Sequence, residues 1–108
     1  MGKFVVTTRK NGEFQLNLKA SNGQVILTSE GYTTKTACLN GIESVKKNAT
    51  KADKFEVKVA KNGKPFFNLK ATNGQVVGAS QMYASETTLK AGIASVMKNA
   101  PEAEIVEE

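Results

Sequence analysis

The sequence predicts an α+β fold: a tandem repeat of two β-β-β-α-β units forming one antiparallel sheet packed by two helices about a pseudo-two-fold axis. Three observations lead there. Lys10 to Ala49 (KNGEFQLNLKASNGQVILTSEGYTTKTACLNGIESVKKNA) recurs from Lys61 to Ala100 (KNGKPFFNLKATNGQVVGASQMYASETTLKAGIASVMKNA) without a gap, with about half the aligned positions identical. Each copy opens on apolar residues at every second position, interrupted by Asn-Gly pairs. Each copy closes on apolar residues at helical spacing.

The first strand of each copy places Phe4, Val6 and Thr8, or Phe55, Val57 and Val59, on one face. Asn11-Gly12 or Asn62-Gly63 leads into a second strand with Phe14, Leu16 and Leu18, or Phe67 and Leu69, inward. Parity sets the turn. A three-residue loop Lys10-Asn11-Gly12, with Gly12 in the left-handed region, brings Val6 opposite Leu16 and Phe4 opposite Leu18. The same loop in the second copy brings Val57 to Phe67 and Phe55 to Leu69. Around Asn22-Gly23 a two-residue type I′ turn keeps the apolar faces together, with Ala20 opposite Val25 and Leu18 opposite Leu27.

Thr34 and Ser85 are the expected helix N-caps, just after Tyr32 and Tyr83. Cys38, Ile42, Val45 and Ala49 form one apolar stripe, repeated by Leu89, Ile93, Val96 and Ala100. Gly41 and Gly92 sit mid-helix, where glycine costs about 1 kcal/mol relative to alanine, so the helix backbone is expected to press on the sheet or on the other helix. Pro101 ends the second helix. The tail from Ala103, with Ile105 and Val106 flanked by acids, aligns with Ala52 to Glu56 and is expected to form a seventh strand; the link between the copies serves both units. The repeats divide as residues 1–52 and 53–108, the second carrying that strand. A unit of roughly fifty residues buries only about 60% of its unfolded surface, so the two complete one compact domain.

The motif NLKA-x-NGQV, then Tyr, then GI-x-SV-x-x-NA, present twice, resembles the YegP-like family of small bacterial proteins of unknown function. The resemblance covers almost the whole chain. It implies two β-β-β-α-β units, in tandem or as two subunits, sharing one sheet with exchanged C-terminal strands, and it implies no activity. Departures between the copies are small: Pro65 for Phe14, Gly78 for Leu27 and Met82 for Gly31.

Composition narrows the function. Lys and Arg exceed Asp and Glu by five, yet Glu102, Glu104, Glu107 and Glu108 crowd the last seven residues, leaving a body of about +9 that attracts polyanions. Histidine is absent, and the one cysteine, Cys38, answers to Leu89, so it reads as a core residue. Nucleophile–base pairs, paired carboxylates, metal-ligand clusters and phosphate-binding glycine loops are all missing, so no enzyme, cofactor or metal is expected. Without an apolar leader or a membrane-length window, the chain is expected in the cytoplasm. As a pseudo-dimer in one chain, it is expected to be a monomer.

The reading is a binding or interaction module with an unknown partner; the alternative is nucleic-acid binding through a basic sheet face. Candidate polyanion-binding residues on that face are Asn17, Lys19, Phe66, Asn68 and Lys70, to which the helices add Lys47 and Lys98. A polar outer face is also what any one-sided antiparallel sheet presents, and Phe66 faces Gln15 in the alignment, so no aromatic platform is doubled. Lysines in a last helical turn favour the helix dipole, and Asn48 and Asn99 read as ordinary caps. The recurrence of Ser44 with Ser95 and Lys47 with Lys98 follows from duplication alone.

Overall fold

The computed structural model describes residues 2–107; Met1 and Glu108, the last acid of the tail, lie outside the described residues. The first repeat supplies β1 (Lys3–Thr8), β2 (Phe14–Lys19), β3 (Val25–Thr28) and α1 (Lys35–Asn48). The second supplies β4 (Phe55–Val59), β5 (Pro65–Lys70), β6 (Val76–Ala79) and α2 (Glu86–Asn99), followed by β7 (Glu104–Glu107). One sheet takes them all, in the order β4-β5-β6-β3-β2-β1-β7. The α+β class and the exchanged C-terminal strand follow the sequence expectation, but the sheet is not wholly antiparallel, since β7 runs parallel to β1.

Local chemistry accounts for the elements. Gly12 and Gly63 hold φ near +87° and +84°, and Arg9 and Ala60 donate their N–H groups across the loop to Glu13 and Lys64. The resulting register pairs Val6 with Leu16, Phe4 with Leu18, Val57 with Phe67 and Phe55 with Leu69, as parity requires. Thr34 accepts a hydrogen bond from the Ala37 N–H at 3.1 Å, and Ser85 closes a capping box with Thr88. Cys38, Ile42, Val45 and Ala49 are fully buried, as are Val96 and Ala100.

Three expectations need correction. The turns at Asn22-Gly23 and Asn73-Gly74 are not type I′, because that turn requires positive φ at both central residues and only Gly23 and Gly74 have it. They are three-residue loops closed between Ala20 and Gln24, or Ala71 and Gln75. Leu18 still meets Leu27, because a bulge between Leu18 and Lys19 restores the parity that the longer loop removes. Gly41 and Gly92 do mark a close approach of the helix backbone, with Leu16 of the sheet 3.3 Å from a Cβ on Gly41, but the nearest party is neither the sheet nor the other helix. A Cβ at either position collides with the hydroxyl of Tyr32 or Tyr83, so each glycine makes room for the tyrosine that precedes its own helix. The link between the repeats does only one of its two expected jobs. It forms a 3-10 turn (Ala52–Lys54) and then β4, which pairs with β5 and on its other side with nothing among the described residues.

The core lies between the helices and one face of the sheet. Phe4, Leu16, Leu18 and Leu27 from the first repeat join Phe67 and Leu69 from the second, beneath Ile42, Val45, Leu89 and Val96. Each such side chain contributes about 1.5–3 kcal/mol by leaving water. The helices reach across the repeat boundary: α1 touches β5 and β6, and α2 touches β3. At the seam β3 and β6 share a single register pair, Thr28 with Ala79. There a Cβ on Gly78 would stand 2.8 Å from Leu27, so one large side chain fills a space that two would overfill.

Candidate functional site

The seven residues singled out from the sequence do not form one site. Asn17, Lys19, Phe66, Asn68 and Lys70 lie half-buried on the sheet face away from the helices. Between β2, which carries Asn17 and Lys19, and β5, which carries the other three, stand β3 and β6. Three strand spacings separate the two groups by about 14 Å. In the first group Asn17 accepts a hydrogen bond from the Thr28 hydroxyl at 2.7 Å, and Lys19 stands opposite Lys3 on β1. In the second group Lys70 Nζ donates to Glu56 Oε2 at 3.0 Å, and Lys58 approaches the same carboxyl at 3.7 Å. The Lys70 hydrogen bond, helped by Lys58, holds the Glu56 carboxyl below the usual carboxylate range. In the second half of the face one carboxylate therefore offsets one of the two lysines.

Lys47 and Lys98 sit on the helices, and there the fold creates a pattern. Near the end of α2, Lys98, Ser95 and Asn99 face the β2–β3 turn residues Ala20, Ser21 and Asn22 across an open groove of about 360 Å³. Near the end of α1, Lys47, Ser44 and Asn48 face the β5–β6 turn residues Ala71, Thr72 and Asn73 across one of about 380 Å³. Each groove joins the helix of one repeat to the turn of the other, and the residues correspond pair by pair. The α1 groove also contains Glu43 where its twin has Ala94, so the α2 groove is the more basic. Sequence reasoning noted the helix residues and the turn residues separately; nothing local joined them, because each groove sets the helix of one repeat against the turn of the other.

Within the grooves some polar groups are occupied. Asn48, 2% exposed, is no cap: its Nδ2 donates back to the Ser44 carbonyl at 2.8 Å and to the Ser44 hydroxyl at 3.3 Å. Asn99 does the same with Ser95, at 2.8 and 3.2 Å. The Asn48 Oδ1 is buried with no partner. Asn22 and Asn73 accept from the N–H groups of Gln24 and Gln75 at 3.0 Å, which stiffens each turn. Lys47 and Lys98 are exposed, and neither takes part in an ion pair among the described residues.

The reactive groups are withdrawn. Cys38 is fully buried, and desolvation pushes its thiol pKa up, which keeps it protonated and unreactive. Burial raises the phenol pKa values of Tyr32 and Tyr83; for Tyr32 the nearby Cys38 and Glu30 add to the effect. No cluster of three or more His, Cys, Asp and Glu side chains able to hold a metal occurs among the described residues. No described helix is long and apolar enough to cross a membrane.

The sequence and the fold both have relatives. A family model described as a domain of unknown function (DUF1508) matches the chain twice, over residues 10–56 and 60–107. A UPF0339 protein of Pseudomonas aeruginosa is 54% identical over 106 residues, covering 98% of this chain and 96% of the relative. The UPF0339 protein YegP of Escherichia coli is 48% identical over 98 residues, covering 91% and 89%. Among solved structures, the solution NMR structure of a UPF0339 protein from Shewanella oneidensis superposes with a TM-score of 0.93 at 47% identity, covering 98% of this chain and 90% of that one. The solution NMR structure of Escherichia coli YegP, described as a protein of unknown function, gives 0.94 at 44% identity, covering 99% and 92%.

Proposed function

The chain belongs to the DUF1508 family, and from that premise we propose that it is a non-enzymatic binding module that holds its partner through the two matched grooves. One observation carries the reading: the fold sets an exposed lysine and a serine hydroxyl of one repeat beside the turn amides of the other, a company that duplication of the sequence does not by itself dictate. Internal hydrogen bonding explains why Ser44 and Asn48 are there. The lysine beside each pair favours the helix dipole, and it is left exposed and without an ion pair among the described residues. The grooves are open, which suits a macromolecular chain better than an enclosed small metabolite. A partner with repeated anionic groups engages both grooves, and the second contact benefits from the effective concentration set by the first. The module needs no cofactor and is expected to work in the cytoplasm.

Titration of isotope-labelled protein with polyphosphate and with short oligonucleotides, at low and moderate salt, tests this. Resonances of Ser44, Lys47 and Asn73 should move together with those of Ser95, Lys98 and Asn22. Replacing Lys47 and Lys98 by alanine should weaken binding and flatten its salt dependence. If neither groove responds at low salt, the reading fails.

Nucleic-acid binding through the sheet face is the second reading, favoured by the adjacent Lys3 and Lys19 beside Asn17. Against it stand the Lys70–Glu56 pair and the distance between the two halves. The same titration separates the two: perturbation centred on Lys3, Asn17 and Lys19, with silent grooves, selects the sheet face.

A further inference from the structure

The free edge of β4 has a backbone pattern set by its own hairpin. Ala60 donates to the Lys64 carbonyl at 2.9 Å and accepts from Gly63 at 2.9 Å, so its polar groups face β5. Alternation along the strand turns those of Lys58 and Glu56 the same way, and leaves the N–H and C=O groups of Phe55, Val57 and Val59 pointing out of the sheet. The first repeat shows this parity in use: Arg9 bonds across its own hairpin, so by the same alternation the groups of Phe4 and Val6 face the side on which β7 pairs. Val57 is 50% exposed and Val59 68%. Edge lysines normally discourage pairing, and Lys58 is one, but Glu56 lies on the same face two residues away.

We propose that β4 pairs antiparallel with β4 of a second copy of this chain, about a two-fold axis through Val57, joining two seven-stranded sheets edge to edge. In that register Val57 meets its own copy and Phe55 meets Val59 of the second copy. Glu56 meets Lys58 of the second copy, and the reverse pair forms by symmetry. The outward groups of Phe55, Val57 and Val59 make the hydrogen-bonded pairs. The charges then fall at the non-hydrogen-bonded positions, where opposed side chains approach most closely. Both neighbouring registers that keep the hydrogen-bond parity are worse: one sets Glu56 against Glu56 and the other Lys58 against Lys58. Five residues of edge bury less than the roughly 1,000 Å² of a stable complex, so the dimer is weak and the dilute chain is a monomer.

Sedimentation velocity at low salt, from about 10 μM to about 1 mM, reads the association directly. The expected result is a concentration-dependent monomer–dimer equilibrium. Glu56→Lys and Lys58→Glu should each weaken self-association about tenfold, since each sets like charges opposite twice per dimer. A one-to-one mixture of those two variants should regain it, because every charge then meets its opposite. Val57→Pro should abolish pairing while circular dichroism shows the fold intact, since the lost N–H faces outward. A chain that stays monomeric at the highest concentration overturns the proposal. So does association indifferent to these changes, or a mixture that fails to recover. A monomer that instead captures a peptide of sequence EAEIVEE also overturns it, in favour of an acidic strand added as β7 adds to β1.

Discussion

The two repeats end in opposite situations at their first strands. Phe4 and Val6 of β1 are 0% and 3% exposed, whereas at the equivalent positions of β4 Phe55 is half-buried and Val57 is 50% exposed. Residue type is unchanged, so the cause lies elsewhere. β7 runs parallel beside β1, with Phe4 opposite Ile105 and Val5 opposite Val106, and Glu107 is ion-paired with Lys35 at the start of α1. Beyond β4 there is no such strand among the described residues, because the residues that follow α1 are themselves β4. Joining two units head to tail leaves one closing strand for two acceptor edges. Covalent duplication thus breaks the symmetry it creates.

The largest expected effect tests that difference in burial. Phe4→Ala should cost about 3–5 kcal/mol in chemical denaturation, while Phe55→Ala costs clearly less because its site is already partly wet. Equal losses would mean that β7 does not account for the asymmetry. Removing residues from Ala103 onward should then make β1 resemble β4, at a cost of about 2–3 kcal/mol from uncovering Phe4, Val5 and Val6. The truncated chain should also self-associate through its new edge. An unchanged melting temperature and an unchanged mass would refute the role given to β7.

A smaller effect concerns what the repeats share. Gly41→Ala should destabilise by about 1–2 kcal/mol despite alanine's better helix propensity, because its Cβ strikes the Tyr32 hydroxyl. Adding Tyr32→Phe should recover only part of the loss, because the ring carbon Cζ still stands 2.8 Å from that Cβ, and the Gly92 and Tyr83 pair, at 2.5 Å, should recover less. Additive losses in that double-mutant cycle would argue against the tyrosine contact. Phe14→Pro should lose about 1 kcal/mol through the backbone, in addition to the packing of the half-buried Phe14 ring on the core. Phe14 exchanges two backbone hydrogen bonds with Tyr32, while Pro65 can only accept one from Tyr83.

The smallest effect is on pH dependence. Folding raises the pKa of Cys38 above 9.0 and those of Tyr32 and Tyr83 above 10.0, so the unfolded chain loses these protons first. The stability held by the neutral groups is complete below pH 9 and declines as pH rises through the folded values. Cys38→Leu, which copies Leu89, should remove the earliest part of that decline and leave the tyrosine part. A denaturation midpoint that does not change between pH 8 and pH 11 would contradict the assignment.

Much of the fold was legible because its information is local. Alternation placed Phe4 and Val6 against Leu18 and Leu16, and Thr34 and Ser85 announced their helices through side-chain oxygens that need only a neighbouring N–H. The second turn was misjudged because parity across a hairpin assumes an unbroken ladder, and the bulge at Leu18/Lys19 adds the residue that the longer loop displaces. The burial of Val5 on the outer face was not legible either, since Val106, which stands beside it, lies a hundred residues along the chain. For the candidate site, Lys47 and Lys98 were found as charges. Their company of Asn73 and Asn22 was not, because each groove joins a helix to the turn of the other repeat.

By itself the sequence determined the repeat, the register of the first hairpins, the caps and the helix stripes, since all of these depend on spacing within a few residues. Tertiary structure alone decided which edge β7 closes, how Leu27 and Gly78 share the seam, and that two lysines each stand beside a turn of the opposite repeat. Those outcomes depend on how two nearly identical units meet. Pseudo-symmetry offers each contact twice, and a single covalent chain can complete some of them only once.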